Sequence, residues 1–169
     1  MKSYCWEAVP KWISFQDAGK NKEGVPEIKR PLIVSILILT ITNMNFKTIQ
    51  LKERLQHFNG SLVLYQIPLI KTKFTEGIRY LAQAGKCFWL VTDTSVVAKS
   101  LVDKSRFISI DFRKFTEEEK STMGYEAKID YSDGNGHIYE THKYHLTDFP
   151  LDEIRLFFVE DTLMLPSEY

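Results

Sequence analysis

The sequence predicts an α+β domain, in which an antiparallel sheet of about five strands carries two or three helices packed on one face. Two observations lead to this prediction. Apolar residues recur every three or four positions in the first half of the chain, and after residue 105 the period changes to two. The chain has 169 residues, of which 44% are hydrophobic, so it is long enough to form one ordinary core.

The helical half begins at Met44. Residues 44–60 form an apolar stripe that ends at Asn59-Gly60, a typical end of a helix. The segment SLVLYQI at 61–67 predicts a short strand that Pro68 closes. Residues 74–85 have helical spacing between a candidate N-cap threonine and a terminal glycine.

Residues 88–102 are ambiguous because they are apolar on all sides. Their β-branched content would allow a strand through Val91. The spacing of Trp89, Val96 and Leu101 is compatible with a buried helix. We predict a helix here.

The second half alternates as half-buried strands do. Apolar and polar residues alternate over 106–115 and 125–131, and 137–146 is expected to pair back on the latter. Residues 154–160 are apolar on both faces and predict a central strand, followed by a last short strand. The segment TEEEKSTMG is expected to be an exposed connection, and TDFPLDE to form one helical turn.

The segment DYSDGNGHIYETH at 130–142 resembles the centre of an EF-hand loop. The two ends of the segment do not match an EF-hand loop, because Tyr131 stands at the first ligand position and His142 at the twelfth, where calcium needs carboxylates. Asp, Asn and Gly also favour the left-handed conformations of a tight hairpin turn. The segment therefore predicts a turn between two strands.

Residues 1–43 form an N-terminal extension that differs in character from the single α+β domain at 44–169. One interpretation is a loose, polar stretch at 17–31 followed by a buried strand at 32–42. The other is that Met44 is the natural start, which the intact mass of natively expressed protein would test. The apolar run of eleven residues is too short for a transmembrane helix.

The 22 basic and 22 acidic residues cancel, which argues against binding to nucleic-acid phosphates as the main function. The charges are unequally spread: residues 1–85 carry 12 basic and 6 acidic side chains, and residues 86–169 carry 10 and 16. Two cysteines without a CxxC pattern fit a reducing compartment and predict a cytoplasmic protein.

The blocks FTEGIRYLAQAGKCFWLVTD, TDFPL and LPSEY resemble a family of small bacterial proteins known as a domain of unknown function, DUF6876. The resemblance covers roughly residues 46–169 and favours a helix for 88–102. One departure is Thr162, where a glycine is expected in the final hairpin turn. The resemblance implies no catalytic residues, because kinship of this kind does not define chemistry.

No catalytic, cofactor or phosphate-loop motif occurs in the sequence, and the spacing of the four histidines does not predict a metal site. We therefore expect a small non-enzymatic binding or regulatory domain that acts through protein contacts, with an unidentified protein or a second copy as partner. The expected interaction surface consists of Tyr131, Tyr139, Asp148, Pro166, Ser167, Glu168 and Tyr169.

Two alternatives stay open. The first is a hydrolase that uses carboxylates near Asp148 or the region of Cys87 and Asp93. The second and weaker one is nucleic-acid binding through the basic first half, with Lys71, Lys73 and Arg79 among its charges.

Overall fold

The computed structural model describes Thr40, Thr42 and residues 46–169. The predicted strand at 32–42 lies outside the described residues except for Thr40 and Thr42, which are helical. The described helices are α1 (residues 46–55), α2 (Glu76–Ala84), α3 (Phe88–Ser100) and α4 (Glu117–Met123). The described strands are β1 (Tyr65–Gln66), β2 (Lys73–Phe74), β3 (Phe107–Lys114), β4 (Ala127–Ser132), β5 (Ile138–Tyr144), β6 (Glu153–Val159) and β7 (Thr162–Met164).

The α+β class is as predicted, but the sheet is larger than expected and is mixed. Its order is β1-β2-β7-β6-β3-β4-β5, and the β2–β7 pair is parallel while every other described pair is antiparallel. The prediction of an antiparallel sheet of about five strands therefore matches only roughly, because the sheet has seven strands and one parallel pair. Strands of two or three residues are too short to show an alternating pattern.

The core lies between one face of the sheet and the helices. On β3 the core side chains are Ile108, Ile110 and Phe112, each at most 2% exposed. They belong to one hydrophobic cluster together with apolar residues of α1, α2 and α3. Helix α4 buries no residue.

The opposite face of the sheet, which we call the open face, is not covered by a helix of the described residues and carries charges that pair with one another. Arg155 on β6 contacts Asp111 on β3 at 2.5 Å, and Lys128 contacts Asp130 on β4 at 2.5 Å. Exposed pairs of this kind contribute little to stability but leave few free charges.

Residues 88–102 form a helix over most of their length, as predicted. Leu90, Val91, Val97 and Ala98 of α3 are buried against the core. Two other apolar side chains of this helix point outward, since Phe88 is 52% and Val96 is 50% exposed.

Two local predictions are wrong. Residues 147–152 form an irregular loop and not a helical turn, because tertiary hydrogen bonds satisfy its backbone. The expected connection TEEEKSTMG contains helix α4, which starts with a capping box between Thr116 and Glu119. This T-x-x-E pattern is a local helix signal that the charged composition concealed.

The hairpin predicted at 130–142 is confirmed, because β4 and β5 pair antiparallel on either side of this turn. The Asp133 carboxylate accepts the backbone N–H of Asn135 at 2.7 Å and that of His137 at 3.1 Å. These hydrogen bonds, the one from Asn135 first, lower the pKa of Asp133. Gly134 and Gly136 supply the positive φ angles that the turn needs.

The turn between β6 and β7 contains Glu160 and Asp161, whose φ angles are 47° and 62°. Val159 pairs with Thr162 across this two-residue turn. The glycine that we expected at Thr162 is not needed, because Thr162 already lies in β7 and the two preceding residues adopt the left-handed conformation instead.

The Glu168 carboxylate lies at the N-terminus of α2 and joins the end of the chain to the helical layer. Its oxygens accept four hydrogen bonds: from the hydroxyls of Ser61 (2.6 Å) and Thr75 (2.5 Å), and from the N–H groups of Gly77 (3.1 Å) and Leu165 (3.1 Å). Thr75 holds the predicted N-cap position but makes no side-chain cap of its own. Glu168 therefore takes the role of the N-cap, and its negative charge suits the positive end of the helix dipole.

Gly77 is required at this contact. A Cβ atom at this position would come within 2.5 Å of Leu165 Cδ1 and 2.6 Å of Glu168 Oε2. The close approach of α2 to the chain terminus therefore depends on the absence of a side chain.

Replacing Glu168 by Gln should lower the free energy of unfolding by about 1–3 kcal/mol. The hydrogen bonds lose the contribution of the carboxylate charge, and the NH₂ group of the glutamine amide faces donors where glutamate has an acceptor oxygen. Urea denaturation measures this change. The matched control is Glu53→Gln on the exposed side of α1, which should change stability by less than about 0.5 kcal/mol. Equal stability of the two variants would contradict the capping role.

Candidate functional site

A cleft of about 690 Å³ opens where α1, the end of α2, the end of β3 and the loop 147–150 meet. We call it the lysine cleft, because Lys47 of α1, Lys86 after α2 and Lys114 of β3 all line it. The remaining lining residues are Thr48, Gln50, Leu51, Tyr80, Ala84, Gly85, Thr147, Asp148, Phe149 and Pro150.

The loop 147–150 forms one wall and is held from both ends. The N–H of Thr147 donates to the Glu126 carboxylate at 3.0 Å, which is the largest cause of the lowered pKa of Glu126. The Lys114 ammonium donates to the Phe149 carbonyl at 3.3 Å, and the Thr48 hydroxyl donates to the Pro150 carbonyl at 3.2 Å. These contacts attach the loop to β3 and α1.

Phe149 anchors the loop in the core. Its ring is 1% exposed and lies edge-on to Phe112, with 4.7 Å between ring centroids, and to Trp89, with 6.5 Å. Burial of this aromatic side chain supplies a large hydrophobic free energy, so the wall of the cleft is fixed.

The lysine cleft has a positive electrostatic balance. It contains three ammonium groups and one carboxylate, that of Asp148. Asp148 Oδ1 already accepts a hydrogen bond from Trp89 Nε1 at 3.2 Å. Among the described residues, neither Lys47 nor Lys86 contacts a carboxylate within ion-pair distance.

Lys86 has a left-handed backbone, with φ at 52°. Its N–H donates to Gln83 and the next N–H, of Cys87, donates to Ala82, which is the hydrogen-bond pattern of a Schellman motif. Glycine is the usual residue at this position because a side chain raises the energy of the left-handed conformation by roughly 1 kcal/mol. The left-handed backbone of this lysine therefore costs free energy, although a positive charge near the C-terminus of a helix is favourable.

The Cys87 thiol lies behind the cleft and is fully buried. Burial raises its pKa from 9.0 to about 12, and the nearby Asp148 charge acts in the same direction. Since the thiolate is the nucleophilic form of cysteine, this residue is chemically inert at neutral pH.

Asp93 and Asp148 lie next to the contacting rings of Trp89 and Tyr144. The Tyr144 hydroxyl donates to Asp93 Oδ2 at 3.3 Å, and the Tyr144 ring lies 5.5 Å from the Trp89 ring. Each carboxylate is thus bound to a different aromatic side chain.

The structure does not bring the seven residues of the expected interaction surface together. Tyr131 is fully buried, so it lies beneath the surface, and its hydroxyl has no hydrogen-bond partner. Tyr139 packs against the core from β5. Asp148 lines the lysine cleft, whereas Glu168 caps α2.

The chain terminus lies on another side. Pro166 and Ser167 are exposed beside Lys52 and Leu55 of α1. Tyr169 is 73% exposed and its ring lies 5.7 Å from those of Phe107 and Phe157 on the open face of the sheet. Sequence reasoning missed Lys47, Lys86 and Lys114, because residues so far apart in the chain form no local pattern.

The lining of the lysine cleft suits an anionic group. Ammonium groups bind carboxylates and phosphates, and Leu51, Tyr80 and Pro150 supply apolar contact area. The lining contains no histidine or cysteine, and its one carboxylate has no second carboxylate beside it. Over the described residues, no group of three histidine, cysteine or acidic side chains is arranged to hold a metal ion.

The burial of Cys87 predicts slow alkylation. In a Cys5→Ser background at pH 8, we expect iodoacetamide to modify Cys87 at least about a hundredfold more slowly in folded than in urea-unfolded protein, because the accessible thiolate is nearly absent. Mass spectrometry measures the rate. Rapid modification of the folded protein would show that this thiol is accessible and reactive.

Within the described ranges, no helix is long and apolar enough to cross a membrane. Comparison with curated proteins and with solved structures gives no match. A family profile does match, and it covers residues 49–169, which include every described strand and the loop that walls the lysine cleft. The chain belongs to the family of unknown function DUF6876.

Proposed function

We propose that this protein is a non-enzymatic binding or regulatory domain that acts through protein contacts, and that the lysine cleft receives an acidic segment of its partner. The observation that supports this proposal most is the unbalanced charge of the cleft. Lys47 and Lys86 have no carboxylate partner among the described residues, and the one acidic group of the lining is bound to Trp89.

The size of the cleft agrees with this use. A volume of about 690 Å³ lies within the range of roughly 300–1,000 Å³ that ligand sites occupy. It can accept one or two acidic side chains with part of their backbone. The fixed wall at 147–150 means that little ordering free energy is lost on binding.

The backbone of Lys86 adds a second argument. A left-handed lysine is less stable than glycine at the end of α2. A residue that breaks a local rule is a candidate for a functional position. The positive charge of Lys86 also lies near the negative end of the α2 dipole. The binding experiment therefore changes Lys47 together with Lys86.

A hydrolase is less well supported by the geometry. Such an enzyme needs two carboxylates, or a nucleophile with a base, at one site. Among the described residues, Asp148 is the only acidic one that lines the lysine cleft, and Asp93 is hydrogen-bonded to Tyr144 elsewhere. Burial removes Cys87 as a nucleophile.

Nucleic-acid binding through Lys71, Lys73 and Arg79 is also less well supported. The Arg79 guanidinium lies 4.3 Å from the centre of the Tyr65 ring, where a cation–π contact holds it against β1. Lys71 and Lys73 are exposed on either side of Thr72, and no groove for a phosphate backbone accompanies them in the described pockets.

A fluorescent hexaglutamate peptide tests the proposal. We expect it to bind the wild-type chain in low salt, and we expect Lys47→Glu with Lys86→Glu to weaken binding at least about tenfold, because two attractive charges become repulsive. Fluorescence anisotropy measures the dissociation constants. Binding should also weaken with added salt, since these charges are exposed.

The matched control is Lys52→Glu with Lys104→Glu, which changes the net charge equally at exposed positions outside the lysine cleft. This control should retain most of the affinity. Equal losses in the two double variants would mean non-specific charge attraction, and unchanged affinity in Lys47→Glu with Lys86→Glu would place the binding elsewhere. Either result would refute the proposed role of the cleft.

A further inference from the structure

We infer that two copies of this chain form a symmetric dimer by pairing the free edges of β5 and packing their α3 helices together. Strand β5 ends the sheet, so one side of its seven-residue backbone has no partner strand among the described residues. The opposite edge of the sheet is β1, which has two residues. Long free edges are templates for pairing with another chain.

The side chains of β5 select one register. In an antiparallel pair related by a two-fold axis normal to the sheet, one residue must lie opposite its own copy. An axis at Glu140 or at Lys143 would place like charges opposite each other, which is unfavourable. An axis at Thr141 avoids both conflicts.

The register centred on Thr141 is also complementary. It places Thr141 opposite Thr141 of the second copy and Glu140 opposite His142 of the second copy. Threonine pairs are favourable cross-strand neighbours, and a histidine ring N–H can donate a hydrogen bond to a facing carboxylate. Within one chain His142 Nε2 already lies 2.7 Å from Glu140 Oε1, so pairing would extend this contact across the axis. An axis at His142 would instead place Glu140 opposite Tyr144.

Lysines often protect sheet edges from pairing, and β5 contains one, Lys143. Its ammonium lies 5.1 Å from the centre of the Tyr125 ring in the same chain. This contact holds the charge back over its own sheet.

Helix α3 supplies the second surface. It lies beside β5, since Trp89 contacts the Tyr144 ring and Asp93 accepts from the Tyr144 hydroxyl. Its outward residues Phe88 and Val96 are half exposed, and Thr92 and Asp93 are exposed beside them. Pairing of the β5 edges would bring the two α3 helices toward each other on the same side of the sheet and cover Val96.

A cysteine pair tests the register in the full chain, in a Cys5→Ser background. Thr141→Cys should form a disulfide-linked dimer under mild oxidation, because facing Cβ atoms on paired strands lie about 4.5–5.5 Å apart. Lys143→Cys is the matched control: the two copies of this residue would lie four residues apart along the strand, about 13 Å, and should not link. Non-reducing gel electrophoresis measures the linked fraction.

The α3 contact is tested by analytical ultracentrifugation over a concentration series. The wild-type chain should sediment at twice its 19.7 kDa mass. Val96→Glu should sediment as a monomer, while Met123→Glu at an equally exposed position on α4 should remain a dimer. Circular dichroism should show folded protein for each variant.

A wild-type chain that is monomeric at every concentration would overturn the dimer. Equal linking at positions 141 and 143, or no linking at 141 in a protein that is dimeric, would overturn the register. A folded Val96→Glu variant that remains dimeric would overturn the packing of α3.

Discussion

The position of α2 depends on one carboxylate, that of Glu168. Four donors from three separate parts of the chain converge on it, and they connect the chain terminus with the start of α2 and with Ser61. The Ser61 hydroxyl in turn accepts the N–H of Glu76, the first residue of α2. The same junction places β2 beside β7 in the only parallel pair of the described sheet.

The loop at 147–150 has a comparable role for the lysine cleft. A short segment with Pro150 and acidic residues favours a helical turn when it is considered alone. In the folded chain Phe149 and its neighbour Leu151 are both buried, and side chains of β3 and α1 bind the carbonyls of the loop. The burial of two large side chains outweighs the weak helical preference, and the resulting loop becomes the wall of a cleft.

Although the net charge is zero, the charged side chains are paired within the chain in one region and unpaired in another. On the open face of the sheet, Asp111 with Arg155 and Lys128 with Asp130 form ion pairs within the chain. Around the lysine cleft the positive charges lack such partners among the described residues. The free edge of β5 and the exposed side of α3 form a further surface that has no partner among the described residues. The two proposals concern these two surfaces.

The sequence by itself determined the features that depend on near neighbours in the chain: the alternation of β3 and β4, the turn at Asp133, and the helix at 88–100. Its threonine-glutamate capping box also specified α4, although composition concealed it. Only the tertiary structure decided the position of β2 against β7, the capping of α2 by Glu168, the burial of Tyr131, and the meeting of Lys47, Lys86 and Lys114. These features join residues that are far apart in sequence, and no local periodicity records which distant partners will satisfy a buried or charged group.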